Sequence, residues 1–176
     1  MREQTLKTIA TADDFAAVRE NWATGKAAVV ITDRDQANHI QLPGQDIAVL
    51  VSGADSAGQM AIFEIVAQPG GGALPHQQTR ENEYWYIVEG QWQVLVGEQQ
   101  RNVGPGSMVL VPACTIHNFR LLGDTPGKML TINAPAGHEL FFKSLADAFA
   151  SATPATDPVS ILKDMARFDT VFEPLR

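Results

Sequence analysis

Three side chains stand out as able to do chemistry together: His76, Glu83 and His117. His76 follows the glycine run Gly70-Gly71-Gly72, and Gln78 lies two residues further on. If the backbone is extended there, His76 and Gln78 point to the same face. Glu83 opens a strand that reaches Glu89, where Glu89-Gly90 turns the chain back, and His117 sits just beyond Pro112 at the start of a later strand. Two imidazoles and a carboxylate are a donor set for a divalent transition metal, with Gln78 offering a fourth, neutral oxygen. Residues this far apart in sequence are usually unrelated. A glutamate that faces a barrel interior, however, must be ion-paired, metal-bound or protonated, because burying a lone carboxylate is costly.

What could hold them together is β structure. From Asp46 to Asn133 the chain alternates short runs rich in Val, Ile and aromatics (IAVLVSG, MAIFEIVAQ, EYWYIVEG, QWQVLVG, SMVLVP, HNFRLL, KMLTIN) with Gly, Pro and Asp turns. Many short strands at such spacing predict an all-β sandwich or barrel. No crossover helix interrupts them, which argues against a parallel sheet. In a barrel, inward residues of separate strands converge. An inward Glu83 carries Trp85 and Ile87 inward with it, and an inward His117 carries Phe119 and Leu121. Trp85 and Phe119 are therefore candidates for an aromatic pocket wall, or simply for core.

The ends read differently. Thr11 with Asp14 forms a short-armed capping box, and Phe15, Val18 and Trp22 make one apolar helical stripe. A short strand is expected at Ala27–Thr32, then a polar loop containing His39 and ending at Pro43-Gly44. After Pro135, residues 138–151 place Phe141, Leu145, Ala148 and Phe149 on one helical face, and Asp157-Pro158 opens a second helix to about Arg167. The sequence thus divides into an arm over 1–45, a barrel over 46–135 and a helical tail over 136–176, with SATPAT (151–156) linking the two tail helices.

Composition narrows the function. The 176 residues carry 13 Lys+Arg against 20 Asp+Glu, a net charge of −7 that argues against binding nucleic acid or an anionic membrane. The single cysteine, Cys114, cannot form an intramolecular disulfide. It is expected in a turn near the barrel mouth rather than as a nucleophile. No apolar run approaches a membrane span, and the opening MREQTLKTIATADDF is polar, so a cytoplasmic protein is expected. The glycine run lacks the Lys-Ser/Thr of a phosphate loop. His138, at a helix start, and His39 are expected in solvent.

Residues 70–90, GGGALPHQQTRENEYWYIVEG, resemble the first cupin motif, G-x5-H-x-H-x3,4-E-x6-G. Gly70, His76, Glu83 and Gly90 occupy its fixed positions, and Gln78 stands where the second histidine would be. Residues 106–117, GSMVLVPACTIH, resemble the second motif, G-x5-P-x-G-x2-H-x3-N, through Gly106, Pro112 and His117; Cys114 replaces its glycine and Leu121 its asparagine. The tail is similar, more loosely, to that of small bacterial cupins related to quercetin dioxygenases.

The resemblance implies an antiparallel double-sheet jelly-roll barrel of roughly six to eight strands, with a metal near its open end. Its ligands would be His76, Glu83 and His117, with Gln78 at the substituted position, and the metal would be Fe, Mn, Ni, Co or Zn. It also implies a dioxygenase acting on a flavonol-like or other enolisable aromatic small molecule, with Glu83 as general base. The alternatives are a non-catalytic small-molecule-binding cupin and a metal-free sugar isomerase or epimerase, which would lack a clear acid-base pair. A homodimer is expected, since cupins commonly pair through an outer sheet.

Overall fold

The computed structural model describes residues 11–153 and 156–172; the polar opening of the chain and the middle of the linker lie outside the described residues. Helix α1 (Ala12–Ala23) begins as the sequence demands: Asp14 N–H donates to Thr11 Oγ1 and Thr11 N–H donates to Asp14 Oδ2. Its stripe buries Phe15 and Trp22.

The strand expected at Ala27–Thr32 does not form. That segment runs outside any sheet, with Val29 98% and Ile31 94% exposed. The sheet edge it would have needed is taken by the stretch read as a loop. Asn38–Leu42 is strand β1, paired antiparallel with β2 (Gln45–Val51) across the Pro43-Gly44 turn, where Gly44 takes φ +73°. Polar residues suit β1 because it is an edge strand. Its His39 is exposed, as expected, and its Nδ1 lies 2.8 Å from Asp46 Oδ1.

The remaining strands are β3 (Ala61–Ala67), β4 (Gly72–Gln78), β5 (Asn82–Glu89), β6 (Gln91–Val96), β7 (Gln99–Val103), β8 (Met108–Val111), β9 (His117–Leu122), β10 (Gly127–Ala134) and β11 (Thr170–Phe172). They form two antiparallel sheets, one in the order β1-β2-β3-β10-β5-β8 and the other β11-β4-β9-β6-β7. In β3 and β10 every second residue is buried, the period-two pattern of strands with one face on a core. Phe63, Ile65, Trp85, Ile87 and Met129 of the first sheet share that core with Trp92, Val94, Phe119 and Leu121 of the second. Trp85–Phe119 and Trp92–Phe119 meet edge to face, at 5.3 and 5.8 Å between centroids.

Helices α2 (His138–Ala150) and α3 (Pro158–Asp164) follow the barrel as expected, α3 being capped by Asp157. A 3₁₀ turn, Met165–Phe168, then leads into β11. The tail is therefore not wholly helical. The apolar faces of its elements are satisfied within the chain: Phe168 packs on Phe15 at 5.3 Å and Phe142 on Phe63 at 5.3 Å. No helix among the described residues is long and apolar enough to cross a membrane.

Candidate metal centre

Three strands bring the chemistry together. Register sets His76 of β4 opposite His117 of β9, and the same face of β4 carries Gln78 inward, as extended backbone requires. Pro75 has no N–H for the ladder, and it falls where the β4–β9 register shifts, between Ala73 and His76. Glu83 enters from the other sheet on β5, with Trp85 and Ile87 buried behind it on the same face. The donor atoms of His76, Glu83 and His117 all lie within 4.8 Å of one another, and all three residues are buried.

The hydrogen bonds around the imidazoles fix their tautomers. His76 Nδ1 donates to the Leu74 carbonyl and His117 Nδ1 to that of Thr115, each at 2.7 Å. In a neutral ring this turns the Nε2 lone pair toward the cluster, the outer-shell arrangement found around metal-bound histidines. His117 Nε2 lies 3.2 Å from Glu83 Oε2 but off the hydrogen-bond direction, so this buried nitrogen has no hydrogen-bond partner. Two imidazole Nε2 atoms, one of them orphaned, beside a carboxylate fit a divalent transition metal.

Gln78 departs from a simple ligand. Its NH₂ is turned inward, donating to Glu83 Oε2 at 3.2 Å and lying 3.4 Å from His76 Nε2. In this orientation the amide satisfies the donor atoms; the opposite orientation would present its oxygen.

Electrostatics follow from burial and proximity. Desolvation, with His117 alongside, pushes the His76 imidazole down to about 3. Burial alone would raise the Glu83 carboxyl, but contact with His117 and the nearby His138 and His76 outweigh it and hold the group down at about 2. His76 is thus neutral and Glu83 ionised at neutral pH, the states a metal requires.

The cluster opens onto a cavity of about 260 Å³, with His76 and Glu83 on its wall. The wall is otherwise mainly apolar. Phe119 contributes from the barrel, Leu42 and Pro43 from the β1–β2 turn, Phe141, Phe142, Leu145 and Phe149 from α2, Leu162 from α3 and Phe172 from β11. Trp85 is not among the lining residues: fully buried, it packs 5.6 Å from the His117 ring and edge-on to Phe119. Cys114 is exposed in a turn with φ +62°, donating weakly through Sγ to the Thr79 carbonyl.

Several site residues escape a reading of the sequence. His138, expected in solvent, is 3% exposed on the cavity wall with its Nδ1 2.7 Å from Glu81 Oε1. Phe172 stacks on His76 at 5.4 Å because β11 pairs with β4, Phe172 opposite His76 and Thr170 opposite Gln78. Asn133, in register with Glu83, is buried with no partner for its amide. Only the helix phase could have flagged His138, since Phe141, Phe142 and Leu145 share its apolar side.

Residues 63–133 match the family model described as a cupin domain, the stretch that contains the whole cluster. That stretch is thus assigned to the cupin domain family, and the barrel around it has the cupin fold. The chain is 25% identical over 125 residues to quercetin 2,3-dioxygenase of Bacillus subtilis (strain 168), a match covering 71% of the chain. It spans only 35% of that relative's length. Among solved structures, the barrel resembles KdgF from Halomonas sp., with a TM-score of 0.56 at 18% identity, covering 64% of this chain and 99% of that one. An RmlC-like cupin from Shewanella frigidimarina gives a TM-score of 0.57 at 18% identity, covering 65% and 98%. A predicted oxalate decarboxylase from Thermotoga maritima gives 0.57 at 14%, covering 60% and 98%. At these identities the structures speak for the fold alone.

Proposed function

We propose that this cupin is a metal-dependent dioxygenase acting on a small, enolisable aromatic compound of the flavonol type. The observation that carries the reading is the two-histidine, one-glutamate cluster, with donor atoms within 4.8 Å, which reaches the wall of a phenylalanine-rich cavity through His76 and Glu83. The likeness to quercetin 2,3-dioxygenase supports it.

His76, Glu83 and His117 would hold the metal, and Gln78 would steady Glu83 through its amide. A divalent transition metal held there would supply Lewis acidity toward a substrate oxygen and redox access to dioxygen. The chain's own groups do the rest. Phe119, Phe141 and Phe172 press on a flat ring and keep water from it. Glu83, ionised at neutral pH, accepts the proton of the substrate hydroxyl.

The test is oxygen uptake by protein loaded in turn with Fe, Mn, Ni and Co, against flavonols and catechols. Glu83→Gln should keep part of the metal and lose about 10²-fold or more in rate, the size of a general-base contribution. No uptake under any of these conditions would shift the assignment to a non-catalytic binding cupin. One observation favours that second reading: the Gln78 NH₂ faces the same Glu83 and His76 atoms that would ligate the metal.

The homodimer belongs to the same proposal. Its support is an outward apolar row on neighbouring strands β5 and β8, where Tyr86 pairs with Met108 and Tyr84 with Leu110. Met108 is 59% and Leu110 51% exposed, an unusual surface for a strand at a sheet edge.

A further inference from the structure

The cavity has a second polar feature that the metal cluster does not use. His138 opens α2, outside the residues that match the family model, and its ring forms part of the cavity wall. The ring is clamped in place: Phe141 lies 4.6 Å and Phe142 4.5 Å from it between centroids. Glu81, itself buried and absent from the cavity lining, lies with Oε1 2.7 Å from His138 Nδ1. The carboxylate thus accepts from Nδ1, and Nε2 has no hydrogen-bond partner among the described residues. A buried histidine oriented by a buried carboxylate, bordering a mainly apolar chamber at a point apart from the metal cluster, is a built recognition group. Although burial opposes charge on the ring, the nearby Glu81 overrides it and raises the His138 pKa, so the imidazole leans toward its donor form.

We propose that His138, oriented by Glu81, is the polar anchor of the cavity: its Nε2–H donates to an acidic oxygen, carboxylate or enolate, carried by a small aromatic ligand. The proposal rests on the reading of the cavity as an aromatic-compound site and adds the charge that such a compound must bear. At about 260 Å³ the chamber lies just below the usual range of ligand-pocket sizes, which suits a compact aromatic compound. Phenylalanine walls reward a flat ring but cannot orient it. A single charge-assisted hydrogen bond in a chamber poor in water can. Because Glu81 sits against Nδ1, a protonated His138 ring is not left unpaired when the ligand is absent.

The probes are cinnamate and its isosteric neutral amide, titrated by calorimetry into the full chain, both chelator-treated and zinc-loaded. Cinnamate should bind about 10-fold or more tighter than cinnamamide, the size of a hydrogen bond to a charged group. That preference should persist without metal, which separates His138 from a carboxylate simply ligating the ion. In Glu81→Gln/His138→Gln, where two amides replace the charged pair, the two probes should bind within about 3-fold of each other. Nitrogen-15 NMR of the histidines supplies a readout that needs no variant: cinnamate should move the Nε2 resonance of His138 in the chelator-treated chain. Equal binding of both probes, a preference that vanishes with the metal, or an unmoved His138 resonance would overturn the anchor while leaving the aromatic cavity standing. Binding of neither probe would overturn both.

Discussion

Acidification should weaken the metal-free protein through His76. In the fold its imidazole is pushed down to about 3, from an ordinary value of 6.5, chiefly by burial. A group whose folded pKa is depressed supports the fold above its unfolded pKa, and that support drains away as pH falls toward the folded one. At pH 5 the unfolded chain has taken up the proton while the folded chain has not. Each unit below 6.5 costs about 1.4 kcal/mol, so the His76 contribution falls by about 2 kcal/mol between pH 7.5 and 5. Other groups act in this window and must be subtracted. His138 and His39 have raised pKa values, so their support is fully present below 6.5 and is lost as pH climbs through their folded values; on acidification they offset His76. Glu83, held at about 2, keeps its support above 4.5 and contributes nothing between pH 7.5 and 5. The comparison that isolates His76 is therefore wild type against His76→Gln. Urea unfolding of chelator-treated protein, followed by fluorescence of the three tryptophans, gives both stabilities at each pH. The gap between the two proteins should move by about 2 kcal/mol, against the wild type, from pH 7.5 to 5. A gap constant to within about 0.5 kcal/mol would refute the claim that His76 is held neutral by its surroundings.

Gln78→His should raise affinity for Ni(II) or Zn(II) by about 10-fold or more, since it adds a nitrogen donor on the same strand face; calorimetry showing no gain would mean that residue 78 does not reach the metal. Gly72→Ala should unfold the site strand, because a Cβ there would lie 2.1 Å from the Phe119 carbonyl oxygen and 2.9 Å from Arg120 Cα. We expect a loss of about 2 kcal/mol or more, read as a drop of roughly 5 °C in Tm by calorimetry. Light scattering should give twice the 19.1 kDa of one chain, and Met108→Glu on the apolar outer row should return the mass to that of one chain. A wild-type mass of one chain at micromolar concentration would remove the dimer.

The barrel was legible in the sequence because its determinants are local. Alternation puts every second residue of β3 and β10 on the core, and glycine and proline punctuate the turns between strands. The same period of two carries His76 with Gln78, and Glu83 with Trp85, to one face, so two pieces of the metal cluster follow from spacing alone. Thr11 and Asp14, and Asp157 before Pro158, announce their helices for the same reason: a cap is satisfied within three residues.

What only tertiary structure decided is everything that depends on which element wins a neighbour. Ala27–Thr32 has better strand residues than Asn38–Leu42, yet the hairpin across Pro43-Gly44 gives the poorer sequence the short loop and hence the edge of the sheet. Thr170–Phe172 becomes a strand because β4 presents an open edge to it, and that pairing lays Phe172 on His76. His138 and Glu81 are 57 positions apart, and no periodicity links a helix start to the residue before a strand. Burial brings the two together: each is a buried polar group that the other pairs, and that pairing lets a histidine that looked solvated form part of the cavity wall.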